Sequence, residues 1–304
     1  MNTLGGIYPA LVTPMRDDQT LHASLIPRLV EFQIAAGVDG IWVAGASGEA
    51  ELLSVEERRV MTEMVVEAVD GRVNVIVHVG AIAPTHSYEL ASHAQQCGVD
   101  AVASTPPHYY APGLQTVVDH YRKLADVCDR PLFMYHLPSC THVPVTLPLA
   151  ERLLGIPSMA GIKYSDHNLI LMRQIKQLDP DRLTVLFGMD AVLLAALVMG
   201  ADGGVGGSYN FMPEAYVKIL ALHREGRIAE AQRLQRETMD FGLGLRADLS
   251  PMSASKFAVS LRGIDCGPPR PPHMVPAKDQ QQRMRQCFEA HHAWLEGLAA
   301  RNDG

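Results

Sequence analysis

Short apolar runs recur at broadly regular intervals along the first two thirds of the chain. They are GIYPALV (6–12), GIWVAG (40–45), VNVIVHVG (73–80), AVAST (101–105), PLFMYH (131–136), MAGIKY (159–164), TVLFG (184–188) and GGVGG (203–207). Each is nearly continuous rather than alternating, the pattern of strands with both faces buried in a parallel sheet. Most of the segments between them carry the helical period instead. In SVEERRVMTEMVVEAV, Val60, Met61, Met64, Val65 and Ala68 fall on one face. Ser54 followed three residues on by Glu57 is a capping-box signature. SYELASHAQQCG and GLQTVVDHYRKLADVC behave likewise. Strand and helix in alternation predict an α/β fold, and eight such units in about 210 residues predict a (β/α)8 TIM barrel.

From Pro213 onward the apolar runs stop. PEAYVKILALHREGRIAEAQRLQRETMDFGLGLR, SPMSASKFAVSLRG and DQQQRMRQCFEAHHAWLEGLAA read as helices, with the Pro-rich GPPRPPHMVP between the last two. The expected organisation is a barrel over residues 1–212 and a C-terminal helical extension over 213–304 packed on it.

Composition narrows the function. The chain has 304 residues, 47% of them hydrophobic and 19% charged, with a net charge of −7. That balance has no basic footprint for nucleic acid and no lysine-rich face for an acidic membrane. DAVLLAALVMGAD is too short for a membrane span. The five cysteines are scattered without CxxC or metal-ligand spacing, and the N-terminus has no signal-peptide pattern, so a reducing cytoplasmic setting is expected.

In a barrel of this kind the chemistry sits at the carboxyl ends of the strands. There the chain places GASGE (45–49), Tyr109–Tyr110, Tyr135–His136, Lys163, Gly188–Asp190 and Gly207–Ser208. Only six lysines occur in the chain, and Lys163 ends an apolar run. An amine held in an apolar mouth loses its charge more readily and becomes a nucleophile for a ketone; the alternative is a lysine that reaches solvent or pairs with Asp166. Tyr135 can move protons there, or can be a core tyrosine with a satisfied hydroxyl. GASGE can hold a carboxylate on its amides and Ser47. His78 reads as a buried structural histidine, and Asp190 as a helix cap.

Taken together, GASGE, YHLP, GIKYSD, LFGMDAVLLAALVMGADGGVGGSYN and GPPRPP resemble the dihydrodipicolinate synthase / N-acetylneuraminate lyase family, over nearly the whole chain. Within it the chain is most similar to the lyases. The resemblance implies class I chemistry, with a Schiff base between a lysine and a 2-oxo acid, usually pyruvate, and no metal or organic cofactor. It implies that Lys163 is the Schiff-base lysine, Tyr135 the proton-transferring tyrosine and Tyr109 the tyrosine that reaches a neighbouring subunit, in a homotetramer built from dimers. Ser47 and the amides around Gly48 match the carboxylate grip. Ser165, Gly188, Asp190 and Gly207, with Ser208 beside them, match the wall of the sugar-chain pocket.

Several positions depart from the family's pattern. Ala46 stands where the turn usually carries the hydroxyl that links two tyrosines in a proton relay. Cys140 replaces the arginine of the synthases, Ala191 the glutamate of sialic acid lyases, Gly207 a common serine, and His142 a common glycine. Cys140 weighs against the semialdehyde-using synthase, and Ala46, Ala191 and Gly207 predict a substrate shorter or less hydroxylated than N-acetylneuraminate. A dehydratase of 2-keto-3-deoxy sugar acids, a dihydrodipicolinate synthase-like enzyme, a non-catalytic sugar-acid binder and a phosphate-binding isomerase are the competing readings. The loop after the eighth strand has no basic residue, which weighs against the isomerase.

Overall fold

The computed structural model describes residues 4–110, 112–246 and 248–299. The eight apolar runs are strands: β1 (Gly6–Pro9), β2 (Gly40–Val43), β3 (Asn74–His78), β4 (Ala101–Ser104), β5 (Leu132–His136), β6 (Met159–Tyr164), β7 (Thr184–Phe187) and β8 (Gly203–Gly206). All pair in parallel, in the order β1-β8-β7-β6-β5-β4-β3-β2. The ring closes just beyond the named strands, where Leu11 N donates to Trp42 O at 2.9 Å and Ala10 bridges Trp42.

The helices between strands are α1 (Ile26–Ala35), α2 (Val55–Val69), α3 (Pro84–Gln96), α4 (Leu114–Val127), the one-turn α5 (Pro138–Thr141), α6 (Leu147–Leu154), α7 (Leu169–Leu178) and α8 (Leu193–Val198). The capping box expected at Ser54 and Glu57 is present in full on α2. Four helices follow β8: α9 (Pro213–Arg224), α10 (Ile228–Arg246), α11 (Pro251–Leu261) and α12 (Lys278–Ala299). Gly226, at φ +74°, separates α9 from α10; a left-handed turn there costs glycine no Cβ clash. The first of them, α9, packs on β1 and α8 as well as on α10 and α12.

Two apolar layers follow from strand alternation. Outward residues such as Val43, Val77, Ile162 and Phe187 pack under the helices. Inward ones, among them Tyr8, Trp42, Ile76, Phe133, Tyr135 and Leu186, fill the barrel. A Cβ on Gly161 would overlap the Phe133 ring, so glycine is what lets that ring cross the interior. Gly161 and Lys163 share the inward face of β6, which sends the lysine into the barrel mouth. At the opposite rim Asp39, Asp100 and Asp202 accept the N–H groups of Ile7, Val75 and Val185 at 2.7–2.8 Å. A cavity of about 500 Å³ on that rim is far from Lys163 and lined by Asp39, Asn74 and Asp100.

Candidate active site

Lys163 is 3% exposed. Its Nζ lies 4.5 Å from the centre of the Trp42 ring and 4.4 Å from that of Tyr135. Tyr135 is its direct register partner across β5 and β6. Burial lowers the amine's pKa from 10.5 to about 7, opposed by the charge of Asp190. Asp166 does not pair with it. That carboxylate instead faces His136, Nε2 to Oδ2 at 3.2 Å, on the outer side of the strands.

Tyr135 is itself buried, packed edge-on against Trp42 and His78. Burial pushes its phenol well above the usual range; Cys140 and Asp190 add to the rise, and the Ser165 hydroxyl beside it opposes it. At neutral pH it is a protonated phenol. His78 has the structural place expected of it: Nδ1 lies 2.9 Å from Ala44 O, and burial holds the imidazole neutral.

Asp190 is not a helix cap. Its Oδ2 accepts the N–H of Ser208 at 2.7 Å, which ties the loop after β7 to the loop after β8. Burial raises its carboxyl pKa, against the pull of the Ser208 N–H and of Lys163. A Cβ on Gly188 would collide with Ser165 Oγ, so that glycine gives the serine its place beside Tyr135.

A cavity of about 480 Å³ opens beside this cluster, with Ser47, Gly188, Asp190, Gly207 and Ser208 in its wall. A Cβ on Gly207 would sit 3.0 Å from Ser47 Oγ. The Gly48 N–H donates to Gly45 O at 3.0 Å within the turn. Tyr109 stands apart from the cluster. It is 78% exposed at φ +76° and packs edge-on against the equally exposed Tyr110.

The structure also brings in residues that strand-end position does not single out. Trp42, in β2 three residues before GASGE, forms one wall of the lysine's site. Ser255 joins the cavity from α11. Lys256 and Glu49 form a buried ion pair at 2.6 Å. Their separation of more than 200 positions leaves no local signal. Among the described residues, Glu63, His93 and Cys97 form a group of metal-ligating types on the outer ring between α2 and α3, away from the mouth.

A buried amine that loses its proton near pH 7, among aromatic rings at a barrel mouth, is suited to attack on a carbonyl carbon, and on this fold it fits an enzyme of the aldolase–lyase class. The chain belongs to the dihydrodipicolinate synthetase family, whose model matches residues 3–291. It is 36% identical over 299 residues to the N-acetylneuraminate lyase of Rhizobium meliloti (strain 1021), covering 98% of this chain and 99% of that one. To the N-acetylneuraminate lyase of Salmonella typhimurium it is 38% identical over 235 residues, 77% of this chain and 79% of that one. Among solved structures it is similar to YagE, a prophage protein of the dihydrodipicolinic acid synthase family from E. coli K12 solved with pyruvate, at a TM-score of 0.89 and 26% identity over 94% of this chain and 98% of that one. The sialic acid aldolase of Ruminococcus gnavus shares the fold at a TM-score of 0.92 and 24% identity, over 98% of each chain. No described helix is long and apolar enough to cross a membrane.

Proposed function

We propose that this enzyme is a lyase of the N-acetylneuraminate lyase kind, cleaving a 2-oxo sugar acid to pyruvate and an aldehyde through an imine on Lys163. The observation that carries the reading is the Lys163 amine, buried between Trp42 and Tyr135 with a pKa near 7. The substrate ketone condenses with Nζ and expels water. The C3–C4 electron pair then moves into the iminium as Tyr135 passes on the C4 hydroxyl proton, and the aldehyde leaves. The enamine takes a proton at C3, and water releases pyruvate and the free amine. Every step runs through protein side chains, so no metal or organic cofactor is called for. Ser47 holds the substrate carboxylate; Ser165, Gly188, Asp190, Gly207 and Ser208 face the chain beyond C4. The relatives' names and the pyruvate bound by YagE support this reading.

Ala191 and Gly207 give the cavity wall no hydrogen-bonding side chain beside Asp190, where Met189 and Val192 also line it; its other polar groups include Ser139, His167, Thr238 and Arg246. A hydroxyl buried there without a partner costs roughly 1–3 kcal/mol. We therefore expect a shorter or less hydroxylated substrate than N-acetylneuraminate. The test is borohydride reduction with pyruvate, read by intact and peptide mass, followed by kcat/KM for N-acetylneuraminate, 2-keto-3-deoxygluconate and 4-hydroxy-2-oxoglutarate. A pyruvate-derived adduct on Lys163 is expected, with one of the shorter acids the better substrate. An unmodified Lys163 in folded protein at saturating pyruvate sinks the lyase reading. A tenfold advantage for N-acetylneuraminate sinks the shorter-substrate reading alone.

The pair Tyr109–Tyr110 supports a homotetramer of dimers, since two adjacent tyrosines 78% and 84% exposed are an apolar surface that a second copy would cover. Light scattering is expected to give four chains per particle, and Tyr109→Ser to shift the particle toward smaller species. A fully active monomer at assay concentration contradicts this. The five free thiols are what a reducing cytoplasm maintains.

A further inference from the structure

Two buried charges stand behind the turn that carries Ser47. Glu49 follows Ser47 and Gly48 directly, is 3% exposed and has φ +59°. Ala44, on the other side of the turn, is also left-handed, at φ +52°. Two non-glycine residues in that region make a strained turn, and such strain persists only where the surroundings over-determine it.

The C-terminal extension supplies those surroundings. Lys256, on α11 and 2% exposed, sets Nζ 2.6 Å from Glu49 Oε1 and donates to Pro268 O at 3.0 Å. The N–H of Arg270, in GPPRPP, donates to Glu49 Oε2 at 2.6 Å. The Arg270 guanidinium holds Leu52 O at 2.7 Å and the Glu57 carboxylate. The same α11 reaches the cavity through Ser255, whose hydroxyl lies 3.9 Å from the point where a Gly207 Cβ would be, across from Ser47. A buried ion pair is a weak source of stability, because apolar groups of the same size do as well. What it sets is orientation: the carboxylate of Glu49 can satisfy Lys256 and Arg270 together in few positions, and the backbone of the turn follows.

We propose that Lys256 and Glu49 are positioning residues, through which the C-terminal extension holds Ser47 in place for the substrate's carboxylate. This rests on the reading that Ser47 grips the 2-oxo acid that becomes bound to Lys163. Burial and Asp190 set the Lys163 amine, and neither Glu49 nor Lys256 is among the charges that shift it.

The experiment measures the pyruvate concentration that gives half-maximal borohydride trapping on Lys163, together with the melting temperature, for wild type, Glu49→Gln, Lys256→Met and the double variant. Each single change leaves one partner without its opposite charge and is expected to lower the melting temperature. The double change removes both charges, so most of that loss returns. Its half-saturating pyruvate stays raised by about tenfold, the equivalent of losing one good contact, while the trapped fraction at saturation and its pH midpoint match wild type. A purely structural role predicts the opposite, with stability and half-saturation recovering together. A double variant that half-saturates within threefold of wild type overturns the inference. Should that variant fail to fold, Glu49→Gln, which keeps an acceptor for the Arg270 N–H, is judged by the same threefold criterion. Absence of trapping in wild type overturns the lyase reading and the inference with it; normal trapping with unshifted half-saturation overturns the inference alone.

Discussion

Lys163→Met is expected to abolish borohydride trapping and turnover while making the folded protein more stable at pH 7. Methionine keeps the unbranched stem and its packing between Trp42 and Tyr135, and removes only the amine. Holding an amine at a pKa of about 7 instead of 10.5 disfavours its charged form by roughly 4–5 kcal/mol at 1.36 kcal/mol per pH unit. Loss of the contacts with the two rings offsets part of that, so the expected gain is about 2–4 kcal/mol. At about 2 °C per kcal/mol, the melting temperature rises by roughly 4–8 °C. The sign follows from proton binding. The unfolded lysine keeps its proton up to about pH 10.5 and the folded one releases it near 7. Between those values the unfolded state holds more protons, and wild-type stability rises with pH. The variant's advantage is therefore full below pH 7 and fades toward pH 10.5. Thermal melts of both proteins from pH 6 to pH 10 test this, and parallel curves would show that Lys163 is not desolvated. The same protonation sets activity: trapping should weaken as pH falls through about 7, because the ammonium has no lone pair to offer.

Tyr135→Phe should separate imine formation from bond cleavage. The ring is retained, so its edge contacts with Trp42 and His78 remain, as does the face beneath the lysine. Only the phenol is lost. Trapping on Lys163 should persist with the pH midpoint of wild type. Turnover should fall by about 10²–10⁴-fold, the usual contribution of a positioned acid–base group. The buried phenol stays protonated at neutral pH, so the role expected of it is that of a carrier handing on a proton rather than of a free tyrosinate. Ala46 provides no hydroxyl for that relay, and Ser165 is the hydroxyl the structure does place beside the phenol. Rapid-quench measurement of cleavage alongside trapping distinguishes the two steps; unchanged turnover removes Tyr135 from proton transfer.

Much of this architecture is written in local pattern. The eight strands were legible because both faces of each are buried, which makes them short uninterrupted apolar runs whatever their order in the ring. The α2 capping box was legible because its two bonds span only three residues. Lys163 and Tyr135 were legible because a polar residue that ends a buried run must sit where the run meets solvent, and in a parallel barrel all those ends lie on one rim. What chain position left open were the outcomes that depend on what arrives from elsewhere. Whether Lys163 paired with Asp166 was decided by strand alternation, which turns the two to opposite sides and gives Asp166 to His136. Asp190 could cap its own helix, but the Ser208 N–H from the next loop reached it first. Glu49 and Lys256 lie more than 200 positions apart, and a charge pair at that distance leaves no periodicity at all. Local burial is enough to specify the strands, most helices and the place of Lys163 at the end of β6; the partners of the charged groups were settled only by the tertiary structure, because low-dielectric pairing depends on distance in space and not along the chain.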